Sequence, residues 1–124
     1  MYFQPDPVTE WKPELISKAA AEIDPDVRCV ISCIDFHVSY LKILKAVTYL
    51  NNPEMLFLAT NLEERHCYQQ NVISPGEGAL TQILCTASRR QPIVLGKPEK
   101  YMFEAVQKEF ANVSPNKTLM IGDK

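Results

Sequence analysis

The sequence predicts an α/β fold built on a parallel sheet. Short apolar runs of strand length alternate with amphipathic stretches of helical spacing, in the order β-α-β-α-β-α-β. Two of those runs end in a glycine and then a charged residue, at Leu95-Gly96-Lys97 and Ile121-Gly122-Asp123. With 124 residues and 46% hydrophobic content, the chain can make one average domain or two partial ones. Parallel strands joined through helices require right-handed crossovers.

Residues 1–26 hold four of the nine prolines (Pro5, Pro7, Pro13 and Pro25) and read as an irregular lead-in. Within it Leu15, Ile16, Ala19, Ala20 and Ile23 have helical spacing and predict a short covering helix. Val27 to Ile34 is the first strand. Its Val27, Cys29, Ile31, Cys33 face is wholly apolar and its Arg28, Val30, Ser32, Ile34 face is mixed, which predicts a sheet only partly covered on the second side. Ser39 to Leu50 is a helix with an apolar stripe of Tyr40, Ile43, Leu44, Val47 and Leu50, ended by Asn51-Asn52-Pro53. Asp35 and Ser39 precede it as N-capping residues.

Met55 to Ala59 is a buried strand, and Thr60 to Pro75 reads as a polar loop. The next helix runs from Gly76 to Ser88, with Leu80, Ile83, Leu84 and Ala87 facing inward. Gly76 and Gly78 at its start either admit an anion to free N–H groups or make a simple turn. Ile93–Leu95 is a strand. Pro98 suits the first turn of a helix reaching Phe110, which buries Met102, Phe103, Val106 and Phe110. Thr118–Ile121 is the last strand.

Composition removes several classes of function. Net charge is −2, and the only adjacent cations, Arg89-Arg90, sit at a helix end where they suit the dipole, so no nucleic-acid partner is expected. No run approaches ~18 apolar residues, so no membrane span is expected. Met1-Tyr2-Phe3-Gln4-Pro5-Asp6 lacks the cationic and apolar segments of a signal peptide, and a cytoplasmic location is expected. Of the four cysteines, Cys29 and Cys33 lie on one strand face ~13 Å apart, too far for a disulfide, and read as small buried hydrophobes. His66-Cys67 offers two metal-ligand types without a second pair, a weak zinc signal.

Ligands of open α/β sheets bind beyond the carboxyl ends of the strands, where Lys97 and Asp123 both fall. An ammonium is a compact charge suited to phosphate oxygens, and a carboxylate is a hard ligand suited to Mg²⁺. If their strands are neighbours, both groups face one crevice, with Gly96 and Gly122 letting backbone approach a ligand.

The segments Val94-Leu95-Gly96-Lys97-Pro98, Tyr101-Met102-Phe103 and Thr118-Leu119-Met120-Ile121-Gly122-Asp123 closely resemble the haloacid dehalogenase (HAD) phosphatase superfamily. More narrowly the chain resembles its 4-nitrophenylphosphatase branch, which includes phosphoglycolate and pyridoxal phosphate phosphatases. Pro25 to Val30, Asp35 to Tyr40, Leu58-Ala59-Thr60-Asn61 and Pro75-Gly76-Glu77-Gly78 fit the same branch, so the resemblance spans residues 25–124. It implies a Rossmann-like core carrying an α/β cap, with residues 1–10 as lead-in, 11–90 as cap and 91–124 as part of the core. It also implies hydrolysis of a small phosphorylated metabolite through an aspartyl-phosphate, with Mg²⁺ as cofactor. Lys97 corresponds to the lysine that neutralises the transferring phosphoryl group, and Asp123 to the first acid of the metal loop. Thr60, Asn61 and His66 occupy the cap loop that selects the substrate. Glu63, Cys67 and Glu77 depart from the branch pattern, and Glu77 would repel an anionic substrate unless it points away.

The family's Asp-x-Asp nucleophile motif is not found after a strand. Asp24-Pro25-Asp26 has the letters but precedes one. The 124 residues are therefore expected to be inactive alone. Caps of this family can mediate dimerisation, so pairing with a second copy or a full-length relative is the alternative reading.

Overall fold

The computed structural model describes residues 12–14, 16–17, 23–68 and 71–122. Of the lead-in helix, Pro13, Glu14, Ile16 and Ser17 are helical, whereas Leu15, Ala19 and Ala20 lie outside the described residues. Three strands form a parallel sheet in the order β1-β2-β5: β1 (Cys29–Ser32), β2 (Leu56–Ala59) and β5 (Ile93–Val94). The register sets Cys29 beside Leu56, Ile31 beside Leu58 and Leu58 beside Ile93. Helix α1 (Tyr40–Leu50) joins β1 to β2. A β3–β4 hairpin (Arg65–Cys67, Ile73–Pro75) and helix α2 (Glu77–Ser88) separate β2 from β5. Helix α3 (Tyr101–Glu109) and a 3₁₀ turn (Pro115–Lys117) follow. The expected α/β architecture with a parallel sheet is what the chain adopts.

The core lies under one face of the sheet. Leu50, Met55, Phe57, Leu84 and Cys85 are buried together, and Val30, Ile43, Ala46 and Val47 pack around them. Helices α1 and α2 thus cover the face bearing Val30, Ser32, Phe57 and Ala59. This reverses the expectation for β1. The mixed face is the covered one, and on the apolar face Ile31 is 58% exposed, Leu56 43% and Ile93 43%. The reversal is possible because buried Ser32 is satisfied. Thr81 donates to the Glu77 carbonyl at 2.8 Å and accepts from the Ser32 hydroxyl at 2.8 Å. Cys29 is accordingly half-buried and Cys33 exposed, not buried hydrophobes, and all four cysteines are free thiols.

Local signals for α1 hold. The Ser39 side chain accepts from the Lys42 amide, and Asp35 accepts from the His37 amide at 2.8 Å and from the Lys42 ammonium at 2.7 Å. At the other end, the Arg90 guanidinium donates to the carbonyls of Leu50, Asn52 and Met55, closing the C-terminus of α1 and the entry to β2.

Four expectations do not hold. The polar stretch 60–75 contains the β3–β4 hairpin. In α2 the buried residues are Thr81, Leu84 and Cys85, while Ile83 is 42% exposed, so the helix is rotated from the predicted Leu80, Ile83, Leu84, Ala87 stripe. Thr81 turns inward because its hydroxyl completes the Ser32 pair. Beyond β5, α3 starts at Tyr101 and leaves Met102, Val106 and Phe110 exposed, because among the described residues no layer lies against that stripe. Thr118–Ile121 is extended but joins no strand, with Leu119 84% and Ile121 87% exposed. A strand requires a neighbour for its N–H and C=O groups, and none of the described strands serves it. No helix among the described residues is long and apolar enough to cross a membrane.

Candidate functional site

The carboxyl ends of the parallel strands converge on one edge of the sheet. Leu95 donates its N–H to the Ala59 carbonyl at 2.9 Å, and Thr60 donates to the Ser32 carbonyl at 3.0 Å. These bonds bring the residues after β1, β2 and β5 alongside one another. Gly96 is fitted closely there. A Cβ at that position would lie 2.3 Å from the Thr60 carbonyl oxygen and 3.2 Å from the Asn61 Cβ. Only glycine permits this approach, which presses the backbone immediately before Lys97 against Thr60 and Asn61. Lys97, expected to meet the phosphoryl group, and Thr60 and Asn61, expected to select the substrate, therefore share one strand-end edge. Thr60 and Lys97 are exposed and Asn61 is half-buried.

His66 joins this edge through α2. Asn61 Oδ1 accepts from the Glu63 amide at 2.9 Å, which turns the chain back after β2. The amides of Gly76 and Gly78 donate to the carbonyls of Glu64 and Glu63 at 2.9 and 2.8 Å. A Cβ on Gly76 would meet the Glu63 carbonyl oxygen at 2.2 Å, and one on Gly78 the Leu62 carbonyl oxygen at 2.4 Å. The two glycines thus serve the turn reading and press the start of α2 against the 62–65 backbone.

Two carboxylates meet the imidazole as a result. His66 Nε2 lies 3.2 Å from Glu77 Oε2, and its Nδ1 lies 3.6 Å from Glu63 Oε2. The Glu77 side chain is only 14% exposed. Its carboxyl is held below the usual glutamate range chiefly by its own backbone N–H, and further by His66 and Asn61, while burial opposes the shift. Position helps too, since Glu77 opens α2, where the dipole favours an anion. The carboxylate expected to repel a substrate is therefore engaged by His66 and Asn61. The sequence flagged Glu77 and Glu63 as departures but not as partners of His66. The only signal for that pairing was the Gly76-x-Gly78 bracket around Glu77.

Asp123, the expected Mg²⁺ ligand, lies outside the described residues. Among the described residues the grouping with ligand geometry is Glu63, His66 and Glu77. Its imidazole makes it unlike the all-oxygen surroundings that Mg²⁺ prefers.

Comparison with known proteins follows the same lines. Residues 94–124 match the family model described as HAD-hyrolase-like. The chain is 36% identical over 105 residues to glycerol-3-phosphate phosphatase of Rattus norvegicus, covering 85% of this chain and 32% of that protein. It is 40% identical over 100 residues to chronophin of Homo sapiens, covering 81% and 33%.

The chain is similar to HAD-like phosphatases over more than four-fifths of its length.

Its fold agrees with theirs. A single-mutant thermostable NPPase from Geobacillus stearothermophilus superposes with a TM-score of 0.66 at 28% identity, over 78% of this chain and 37% of that one. The chain spans about a third of the length of the curated relatives it matches.

Proposed function

We propose that this HAD-like chain supplies the substrate-selecting part of a Mg²⁺-dependent phosphomonoester hydrolase acting through an aspartyl-phosphate. Its substrate class is a small phosphorylated metabolite: glycerol 3-phosphate, as named in one group of relatives, or phosphoglycolate or pyridoxal phosphate, as the resemblance of the sequence implies. The observation that carries this reading is the gathering of Thr60, Asn61 and Lys97 at the carboxyl ends of β2 and β5, fixed by the Gly96 approach. Ligands of open α/β sheets bind at such edges. The Lys97 ammonium meets phosphate oxygens, Asn61 and Thr60 offer hydrogen bonds to the rest of the metabolite, and half-buried His66 borders them. Asp123 is assigned as a Mg²⁺ ligand, and a bound Mg²⁺ would neutralise charge on the phosphoryl group. No Asp-x-Asp follows a strand in these residues, so covalent attack is assigned outside them and they are inactive alone.

Amide chemical shifts of the labelled chain test the site. Pyridoxal phosphate or glycerol 3-phosphate with Mg²⁺ is expected to shift Thr60, Asn61, Gly96 and Lys97 saturably. Shifts confined to other regions overturn the assignment. Release of phosphate from 4-nitrophenyl phosphate by the chain, abolished in Lys97→Ala, overturns inactivity alone.

A second reading is favoured by the bare sheet face. Ile31, Leu56 and Ile93 form an exposed apolar strip that a monomer seldom leaves uncovered. Pairing through this region with a second copy or a full-length relative would cover it. Sedimentation equilibrium of the chain separates the two, because a monomer at every concentration removes self-pairing.

A further inference from the structure

We propose that Glu63, His66 and Glu77 form a binding site for a divalent transition metal of the zinc class. The site is distinct from the Mg²⁺ position assigned to Asp123 and independent of the proposed phosphatase reading. One ligand atom from each of the three side chains lies within 4.8 Å of the other two. One imidazole nitrogen with two carboxylate oxygens is a donor set that zinc and its neighbours accept, with a remaining position for water. Tetrahedral zinc with bonds of about 2.0–2.1 Å separates adjacent ligand atoms by about 3.3 Å. The His66 Nε2 to Glu77 Oε2 separation of 3.2 Å already matches that edge.

The three ligands come from separate parts of the chain, and the backbone holds those parts together. Glu63 lies in the turn after Asn61, His66 on β3 and Glu77 at the first turn of α2. The Gly76 and Gly78 amides fasten the start of α2 to the Glu64 and Glu63 carbonyls, and His66 pairs with Ser74 in the hairpin. Asn61 also hydrogen-bonds the Glu77 carboxylate. Glu63 Oε2 lies 3.6 Å from Nδ1, the ring nitrogen that Glu77 does not meet, so the metal takes one nitrogen and the carboxylate on the other side must swing toward it. The Glu63 side chain, 32% exposed, is the freer of the two to move. Two carboxylates and a neutral imidazole carry a charge of −2, which offsets a divalent ion. The side chains are only 14–32% exposed, which shields that attraction from solvent better than a surface cluster would.

Occupancy would lock the 61–66 turn to α2 and set the direction of Asn61 and His66. A bound metal would thereby control what the neighbouring strand-end edge accepts; this consequence alone rests on the proposed function.

The test is titration of the full 124-residue chain with Zn²⁺ by calorimetry, in excess Mg²⁺, with thermal unfolding recorded in parallel. One Zn²⁺ per chain is expected to bind saturably and to raise the melting temperature. His66→Ala is expected to abolish both effects, and Glu77→Gln and Glu63→Gln to weaken binding by about tenfold or more. Cys33→Ser and Cys67→Ser are expected to leave both unchanged, since those exposed thiols are the competing soft ligands. Circular dichroism of each variant establishes that it is folded. Absence of saturable binding to the unsubstituted chain overturns the proposal. So does undiminished binding by folded His66→Ala, or loss of binding in Cys67→Ser.

Discussion

Residues 27–95 and residues 96–122 have similar apolar patterning and different fates. In the first region, apolar residues of β1, α1, β2 and α2 meet across two layers, leaving Leu50 1% and Phe57 2% exposed. In the second, α3 carries Met102, Phe103 and Val106 on one stripe continued by Phe110 at its C-cap, yet Phe110 is 60% exposed and Ile121 87%. The lesson is that an amphipathic stripe states a demand for a partner and does not supply one. The first region satisfies that demand from within; the second has no opposing layer among the described residues.

The largest way to break the comparison is Phe57→Ala. It removes a buried ring from the centre of the core and is expected to cost about 3–5 kcal/mol, measured by urea unfolding. Arg90→Ala comes next, with an expected loss of about 1.5–3 kcal/mol, because three carbonyls lose a charged donor. A loss no larger than that of an exposed arginine would show that this closure of α1 is not needed.

The Glu77 carboxyl gives a pH-dependent effect of smaller size. Its folded pKa is lowered, so its contribution is present above the ordinary glutamate value of 4.5 and is lost as pH falls through the folded value. The difference in urea midpoint between the unsubstituted chain and Glu77→Gln is therefore expected to shrink as pH is taken below 4.5. A difference that stays constant to strongly acidic pH would assign the effect to packing.

The smallest expected change is in the second region. Phe110→Ala is expected to alter stability by less than about 0.5 kcal/mol, and amides of Thr118–Ile121 to exchange with little protection. Uniformly slow exchange there would mean that the segment has found a strand partner and that the two regions are alike.

Much of the architecture was legible in the residues. The Ser39 cap, the Asn51-Asn52-Pro53 stop and the alternation of runs specify α1 between two parallel strands, because caps and periodicity act within a few residues. The Gly96-Lys97 and Gly122-Asp123 endings carried the family resemblance for a similar reason: those short motifs are local. The β3–β4 hairpin was illegible because Arg65-His66-Cys67 and Ile73-Ser74-Pro75 have neither the length nor the alternation of a strand, and only cross-strand pairing makes them one. The face of β1 was misread because Ser32 looks polar in isolation. It is buried only because Thr81, 49 residues away, completes its hydrogen bond.

The sequence by itself determined the order of elements, the caps of α1, the resemblance to HAD-like phosphatases and the Gly96-Lys97 ending of β5. Only the tertiary structure decided which sheet face is covered, which stripe of α2 turns inward, and that Glu63 and Glu77 meet at His66. The physical reason is range. Propensity, capping and motif spacing depend on neighbours in the chain, whereas burial of a polar pair and convergence of charges depend on distant segments pressed together by close backbone contact at Gly76, Gly78 and Gly96.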